Sequence, residues 1–177
     1  MLFTEIETDR LILKNIGTDD RDFIFAQFSD DVVNRYLFDA EPLSDLQGAD
    51  EIIAFYTQPE PRSQQRWILV RKTDGAKVGT CGFHCWNPPE GKVEVGYDLR
   101  EAFWGNGYMQ EAMQAILAFA REKMHVKKID ACIAVENQRS IRVVEKFGFV
   151  RSGSTTLVFR GREYPHHIYS LELAKSA

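Results

Sequence analysis

A single α/β domain built on one mixed sheet is the fold class that this sequence predicts, and three features predict it. The chain has 177 residues, 44% of them hydrophobic and 27% charged, which suffices for one sizeable core and is ordinary for a globular domain. Short strand-like runs alternate with segments whose apolar residues recur at helical spacing. The most telling stretch is Val93 to Glu111, where an apolar run (Val93, Val95, Tyr97, Leu99) leads through Trp104-Gly105-Asn106-Gly107-Tyr108 into an amphipathic helix. A second strand-like run follows that helix, and a strand–helix–strand unit of this length pairs its strands in parallel. Tight turns elsewhere demand antiparallel neighbours, so the sheet is mixed.

The elements follow in order. Leu11-Ile12-Leu13 forms a first strand, and Asp19 or Asp20 caps a short helix with Phe23, Ile24 and Phe28 on one face. Ser44 is placed to cap a second helix, in which Leu46, Ala49, Ile53 and Tyr56 repeat at helical spacing until the Pro59–Pro61 stretch stops it. Trp67–Val70 and Val78–Phe83 flank the turn Thr73-Asp74-Gly75 and predict a hairpin. Asn87 to Gly91 is a loop before the strand 93–99. In the next helix Met109, Ala112, Met113, Ile116, Leu117 and Ala120 form one apolar stripe, with Glu111, Gln114, Arg121 and Lys123 elsewhere. That stripe is core. Ile129–Val135 is the returning strand, and a short helix over 140–147 ends at Gly148. Two last strands surround Arg160-Gly161-Arg162. No repeat, low-complexity tract or linker interrupts the chain, so residues 1–177 are expected to form one domain.

Charge and composition exclude several functions. A net charge of −4 argues against a general nucleic-acid binder and suits a cationic amine. No apolar run approaches the roughly 20 residues that cross a bilayer, and the polar, acidic start (Met1 to Arg10) is no signal peptide. Cys81, Cys85 and Cys132 cannot all pair, and none forms a closely spaced metal pair. Unbridged, buried thiols and a cytoplasmic location are therefore expected, without metal or membrane. On strand parity, Cys81 and Cys85 would share one face and His84 the other.

The glycine turn carries the chemistry. The first turn of a helix has unpaired N–H groups and a partial positive charge, and glycines let a phosphate approach that backbone. A nucleotide-binding loop is disfavoured, because no Gly-Lys-Ser/Thr follows the turn. A second segment about one helix later, Asn137 to Phe149, has its own recognisable spacing.

Taken together, these motifs resemble the GNAT superfamily of acyl-CoA-dependent N-acyltransferases, and most of all the RimJ/RimL-like branch of ribosomal-protein N-terminal acetyltransferases. The residues that carry the resemblance span nearly the whole chain. They are Thr8-Asp9-Arg10-Leu11-Ile12-Leu13, Gly79-Thr80-Cys81-Gly82, Glu94-Val95-Gly96-Tyr97, Phe103 to Tyr108 with Glu111-Ala112, and Asn137, Ser140 to Val143, Glu145, Lys146, Gly148 and Phe149. The resemblance implies a mostly antiparallel, twisted central sheet whose two parallel middle strands, 93–99 and 129–135, splay apart. It implies acetyl-CoA as co-substrate, bound by Trp104, Gly105, Asn106, Gly107, Tyr108 and Met109, with its pyrophosphate on the backbone N–H groups from Gly105 to Met109. The pantetheine arm would lie along Tyr97, Asp98 and Leu99, with the amide of Asn137 reaching it and Ser140 near the sulfur.

Three positions depart from the family pattern. Trp104 stands where Gln or Arg often begins the pyrophosphate signature, and Met109 where Gly or Ala is usual. Val144 replaces the tyrosine that many members use as acid for the departing thiolate, which leaves Ser140 as the substitute, unless its hydroxyl only caps the helix. Transfer to an amine needs a base, because a free alkylamine is largely protonated at neutral pH. Glu94, on the strand beside the coenzyme, is the first candidate; Glu163, Tyr164, His166, His167 and Tyr169 in the last hairpin are others, with His166 and His167 on opposite faces. The expected function is acetyl-CoA-dependent N-acetylation of a primary amine, either a protein α-amino group or a small amine, by direct transfer in a ternary complex. The protein would act as a monomer or homodimer without nucleic acid. The rival is a catalytically silent acyl-CoA-binding sensor.

Overall fold

The computed structural model describes residues 2–173. Eight strands lie in one sheet in the order β1-β2-β3-β4-β5-β6-β8-β7. They are β1 (Ile6–Glu7), β2 (Leu11–Asn15), β3 (Gln65–Arg71), β4 (Lys77–Asn87), β5 (Lys92–Leu99), β6 (Lys128–Ala134), β7 (Val150–Phe159) and β8 (Arg162–Glu172). Among the described residues five α-helices flank it: α1 (Arg21–Phe28), α2 (Asp31–Asn34), α3 (Leu46–Tyr56), α4 (Tyr108–Glu122) and α5 (Gln138–Lys146).

Every neighbouring pair is antiparallel except β5 and β6, which are joined through α4 and run parallel as the crossover requires. Their pairing is brief. Lys92, Val93 and Glu94 meet Lys128, Ile129 and Asp130, and then the strands part. From Val95 onward β5 has β4 on one edge and, among the described residues, no strand on the other.

The two faces of the sheet are different. Odd-numbered residues of β3, β4 and β5 (Trp67, Leu69, Cys81, Phe83, Val93, Val95) pack against Met109, Met113 and Ile116 of α4 in the main core. Burial of large apolar side chains at about 1.5–3 kcal/mol each makes this layer the main source of stability. Ile68 of β3 faces the other way, into a smaller core with Ile24, Ala49 and Ile53 of α1 and α3. The final hairpin turns at Arg160 and Gly161, whose positive φ values of 51° and 72° fit a two-residue turn with right-handed strand twist.

Four expectations need correction. Helix α3 is capped by Asp45, whose carboxylate accepts from the Gly48 N–H, rather than by Ser44, and Leu46 remains exposed because it lies beside that cap. Helix α5 starts at Gln138, two residues earlier than the apolar pattern suggests, because Asn137 caps it through the Ser140 N–H. Cys85 does not share a face with Cys81: it adopts φ 52° where β4 and β5 shift register between His84 and Asn87, which breaks the alternation. Only Cys81 is a buried thiol; Cys85 and Cys132 are exposed, Cys132 because it sits on the splayed part of β6. Met1 and residues 174–177 of the expected domain lie outside the described residues.

Candidate active site

The splay between β5 and β6 opens into a cavity lined at one end by the glycine turn and at the other by α2, α3 and the last hairpin. At the first end, Gly105 and Gly107 have φ values of 78° and 76°, a conformation open to glycine and strained for other residues. Gly107 is the N-cap of α4, so the unpaired N–H groups of the first helical turn follow it directly. Arg10 steadies the turn: it donates to the Asn106 carbonyl (2.8 Å) and pairs with Glu111 (2.6 Å), which also accepts from Thr8 (2.6 Å). Asn106 folds its amide back onto the Phe103 and Trp104 carbonyls, and the Trp104 indole N–H donates to the Leu99 carbonyl at 2.8 Å. Leu99 is thereby tied at its carbonyl. The Arg139 guanidinium lies 3.5 Å over the Trp104 ring, and Arg142 and Lys146 add charge to the same wall. A glycine cradle at a helix start, faced by three cations, fits a pyrophosphate-bearing coenzyme.

Gly107 offers a direct check. Valine there would carry a side chain at φ 76°, costing about 1–3 kcal/mol of strain or forcing the turn to rearrange. Gly107→Val should therefore weaken acetyl-CoA binding about fivefold to 150-fold in a folded protein, as measured by calorimetry; unchanged affinity would remove the turn from the site.

Midway along the cavity, Tyr97 and Ser140 meet. The Ser140 hydroxyl donates to the Tyr97 oxygen at 2.8 Å, and the Tyr97 hydroxyl donates to the Ser140 carbonyl at 3.1 Å. Ser140 is thus no helix cap; that place belongs to Asn137, whose Oδ1 accepts from the Ser140 N–H at 3.2 Å. Burial pushes the Tyr97 phenol well above its ordinary pKa, against a smaller opposing effect of Ser140, so it stays a proton donor at neutral pH. Val144 is fully buried against the core and presents nothing to the cavity.

The opposite face of the sheet carries Glu94, at the point where the strands part. It stands beside Asp130 in register, and partial enclosure, followed by that like charge, raises its pKa above the ordinary carboxylate range. Asp130 itself accepts from Ser170 at 2.5 Å and lies 3.6 Å from Lys128. Met109 is buried, and the Asp98 carboxylate is held by Arg66, so each has only its backbone to offer a coenzyme.

Asp98 belongs to a buried network that sequence reasoning missed. Its Oδ2 accepts from Arg66 (3.0 Å) and Thr80 (2.7 Å), its Oδ1 from Gln27 (2.6 Å), and Arg66 also donates to Thr80 at 2.5 Å. His84 Nε2 takes a hydrogen bond with the Tyr56 hydroxyl and lies 3.4 Å from Arg66. Arginine only donates, so Nε2 is best an acceptor and the ring proton sits on Nδ1. Burial and then the Arg66 charge lower the His84 pKa to about 4, so the ring is neutral at pH 7. Gly82 lets the β3 backbone approach, since a Cβ there would fall 2.0 Å from the Gln65 carbonyl oxygen, and Gly96 leaves room for the network, since a Cβ there would press against the His84 ring at 3.2 Å. The available signal was the even-numbered polar set Arg66, Thr80, His84, Glu94 and Asp98, but strand register is needed to see that one face gathers it.

The last hairpin places one histidine in the cavity, as parity required. His166 is buried at its wall, 5.8 Å edge-on to Phe38, whereas His167 lies on the other face beside Tyr169. Phe38 stacks on Tyr164 at 3.8 Å. Glu163 is exposed and does not line the cavity. Among the described residues no helix is long and apolar enough to cross a membrane, and no three His, Cys, Asp or Glu side chains gather as a metal-binding group.

Comparison with known proteins agrees with this geometry. The model of the acetyltransferase (GNAT) domain family matches residues 10–150. An uncharacterized N-acetyltransferase of Bacillus subtilis, YoaA, is 30% identical over 173 residues, covering 96% of this chain and 97% of its own length. Among solved structures, a ribosomal L7/L12 α-N-protein acetyltransferase, RimL, in complex with coenzyme A superposes with a TM-score of 0.85 at 16% identity, covering 96% of this chain and 98% of that one. The spermidine N-acetyltransferase of Vibrio cholerae with CoA and spermine gives 0.82 at 18% identity, covering 93% and 96%. At such identities the superpositions speak for the fold, while the family match and the Bacillus relative decide kinship: this chain belongs to the GNAT acetyltransferase family.

Proposed function

We propose that this acetyltransferase moves the acetyl group of acetyl-CoA directly to the nitrogen of a primary amine, within one ternary complex. The observation that carries the proposal is the gap beyond Glu94 and Asp130, where an unpaired strand edge lies between the cationic glycine cradle and the acceptor end. An acyl-pantetheine chain laid along that edge gains the hydrogen bonds a strand would have made, and a backbone N–H there can hold the thioester oxygen as it becomes negative.

In this reading Glu94 removes a proton from the ammonium acceptor, directly or through water. The free amine attacks the thioester carbon, a C–N bond forms, and the C–S bond breaks. Ser140 and Tyr97 then protonate the departing thiolate: either hydroxyl can turn toward the sulfur while the other stays bonded to it. A strand tyrosine thus supplies the phenol that Val144 withholds from the helix. Asn137 retains its amide N–H groups for the pantetheine, since Oδ1 is occupied at Ser140. The RimJ/RimL-like motifs favour membership of that branch, and with it a protein α-amine as acceptor; a small amine is the alternative.

Ser140→Ala and Tyr97→Phe test the acid. Each should lower kcat about tenfold to a thousandfold while leaving acetyl-CoA affinity within a factor of two or three, because the hydroxyls matter as charge grows on sulfur. Full turnover in both variants would exclude the pair. The same assay separates transfer from the sensor alternative: a sensor binds acetyl-CoA and releases no thiol with any amine.

A further inference from the structure

The acceptor end of the cavity has a composition that narrows the amine, on the acetyl-transfer reading given above. Its walls are aromatic and aliphatic. Phe55 of α3 is 46% exposed and lines the cavity edge-on to Tyr56 at 5.0 Å, joined there by Ile52, Phe28, Phe38 and Leu157. An exposed phenylalanine on a cavity wall beside further apolar groups gains most from covering by an apolar partner.

Three of the carboxylates nearby are paired. Asp98 is held by Arg66, Glu41 by Arg160, and Asp130 by Lys128 and Ser170. Asp39, Glu51 and Glu136 also line the cavity, but they are exposed and belong to three different segments, and Glu51 accepts from Gln47. Arg35 adds positive charge to the same end. Among the described residues Glu94 is the carboxylate at the strand gap that no cation pairs, which suits an ammonium placed there. At the far side, Phe38 stacks on Tyr164 and Glu41 pairs with Arg160, so the segment around residues 38–41 is tied to the last hairpin. A long peptide leaving by that route would have to part these contacts.

We propose that the acceptor is a compact primary amine bearing a flat apolar group, with its nitrogen at Glu94 and its apolar body against Phe55 and the neighbouring wall. The test compares kcat/KM for 2-phenylethylamine, ethylamine, spermidine and a short peptide with N-terminal phenylalanine, at saturating acetyl-CoA. Phenylethylamine should exceed ethylamine about tenfold to a hundredfold, the range that burying such an apolar group provides. It should also exceed spermidine and the peptide. Phe55→Ala, checked for an unchanged melting curve, should shrink the phenylethylamine-to-ethylamine ratio severalfold, chiefly through KM. A preference for spermidine or the peptide, or a ratio untouched by Phe55→Ala, would overturn the acceptor assignment and leave acetyl transfer standing. Absence of thiol release with all four amines would overturn both.

Discussion

Replacing Arg66 with leucine should lower folding stability by about 3–5 kcal/mol, the scale expected when one partner of a buried ion pair is removed. Arg66 and Asp98 have only 10% and 8% of their side chains exposed, so the remaining carboxylate would stay buried with Thr80 and Gln27 as its neutral partners. For a domain of this size the loss corresponds to a melting point roughly 6–20 °C lower. The double variant Arg66→Leu/Asp98→Leu should recover much of it, because no unpaired charge is left behind. Thermal or denaturant unfolding of the three proteins checks this; a single variant as stable as the parent would mean that the network does not hold α1, α3 and the strands together.

The second large effect is catalytic. Glu94→Gln should reduce kcat by about 10²–10⁴-fold, the usual contribution of a positioned base. Its pH dependence has a definite sign. A base works when deprotonated, so activity should rise with pH through the Glu94 pKa, and that limb should lie above the ordinary carboxylate range because the pKa is raised. Stability moves the other way. A carboxyl whose folded pKa exceeds its unfolded value contributes most below the unfolded pKa and loses that contribution as pH rises through the folded one. At neutral pH Glu94→Gln should thus leave stability unchanged or slightly higher while activity collapses. A structural glutamate would lose stability instead and leave the acidic limb in place.

Much of the frame was legible in the chain because it rests on local rules. The glycine turn and the α4 stripe placed the helix start at Gly107–Tyr108, and the crossover rule placed β5 beside β6 in parallel. The motif resemblance anticipated the splay, which pairing statistics alone do not encode. What escaped depends on register. The Arg66–Asp98 pair joins residues 32 positions apart through two strand pairings, and Tyr97 reaches Ser140 across 43. Ser140 reads as a possible cap in the sequence because a helix boundary is uncertain by a residue or two, and in the structure Asn137 opens the helix earlier. The bulge at Cys85 similarly reversed a parity that an ideal strand would have kept.

The central claim is direct acetyl transfer from acetyl-CoA to an amine nitrogen at the β5–β6 gap. It is tested most directly by incubating the purified protein with acetyl-CoA carrying an isotopically labelled acetyl group and a primary amine, then following thiol release and product mass together. The account predicts one thiol released per labelled N-acetyl product, dependent on the amine, with no labelled acetyl group left on the protein. Tight acetyl-CoA binding without amine-dependent thiol release, or label accumulating on the enzyme before the amine is added, would contradict it.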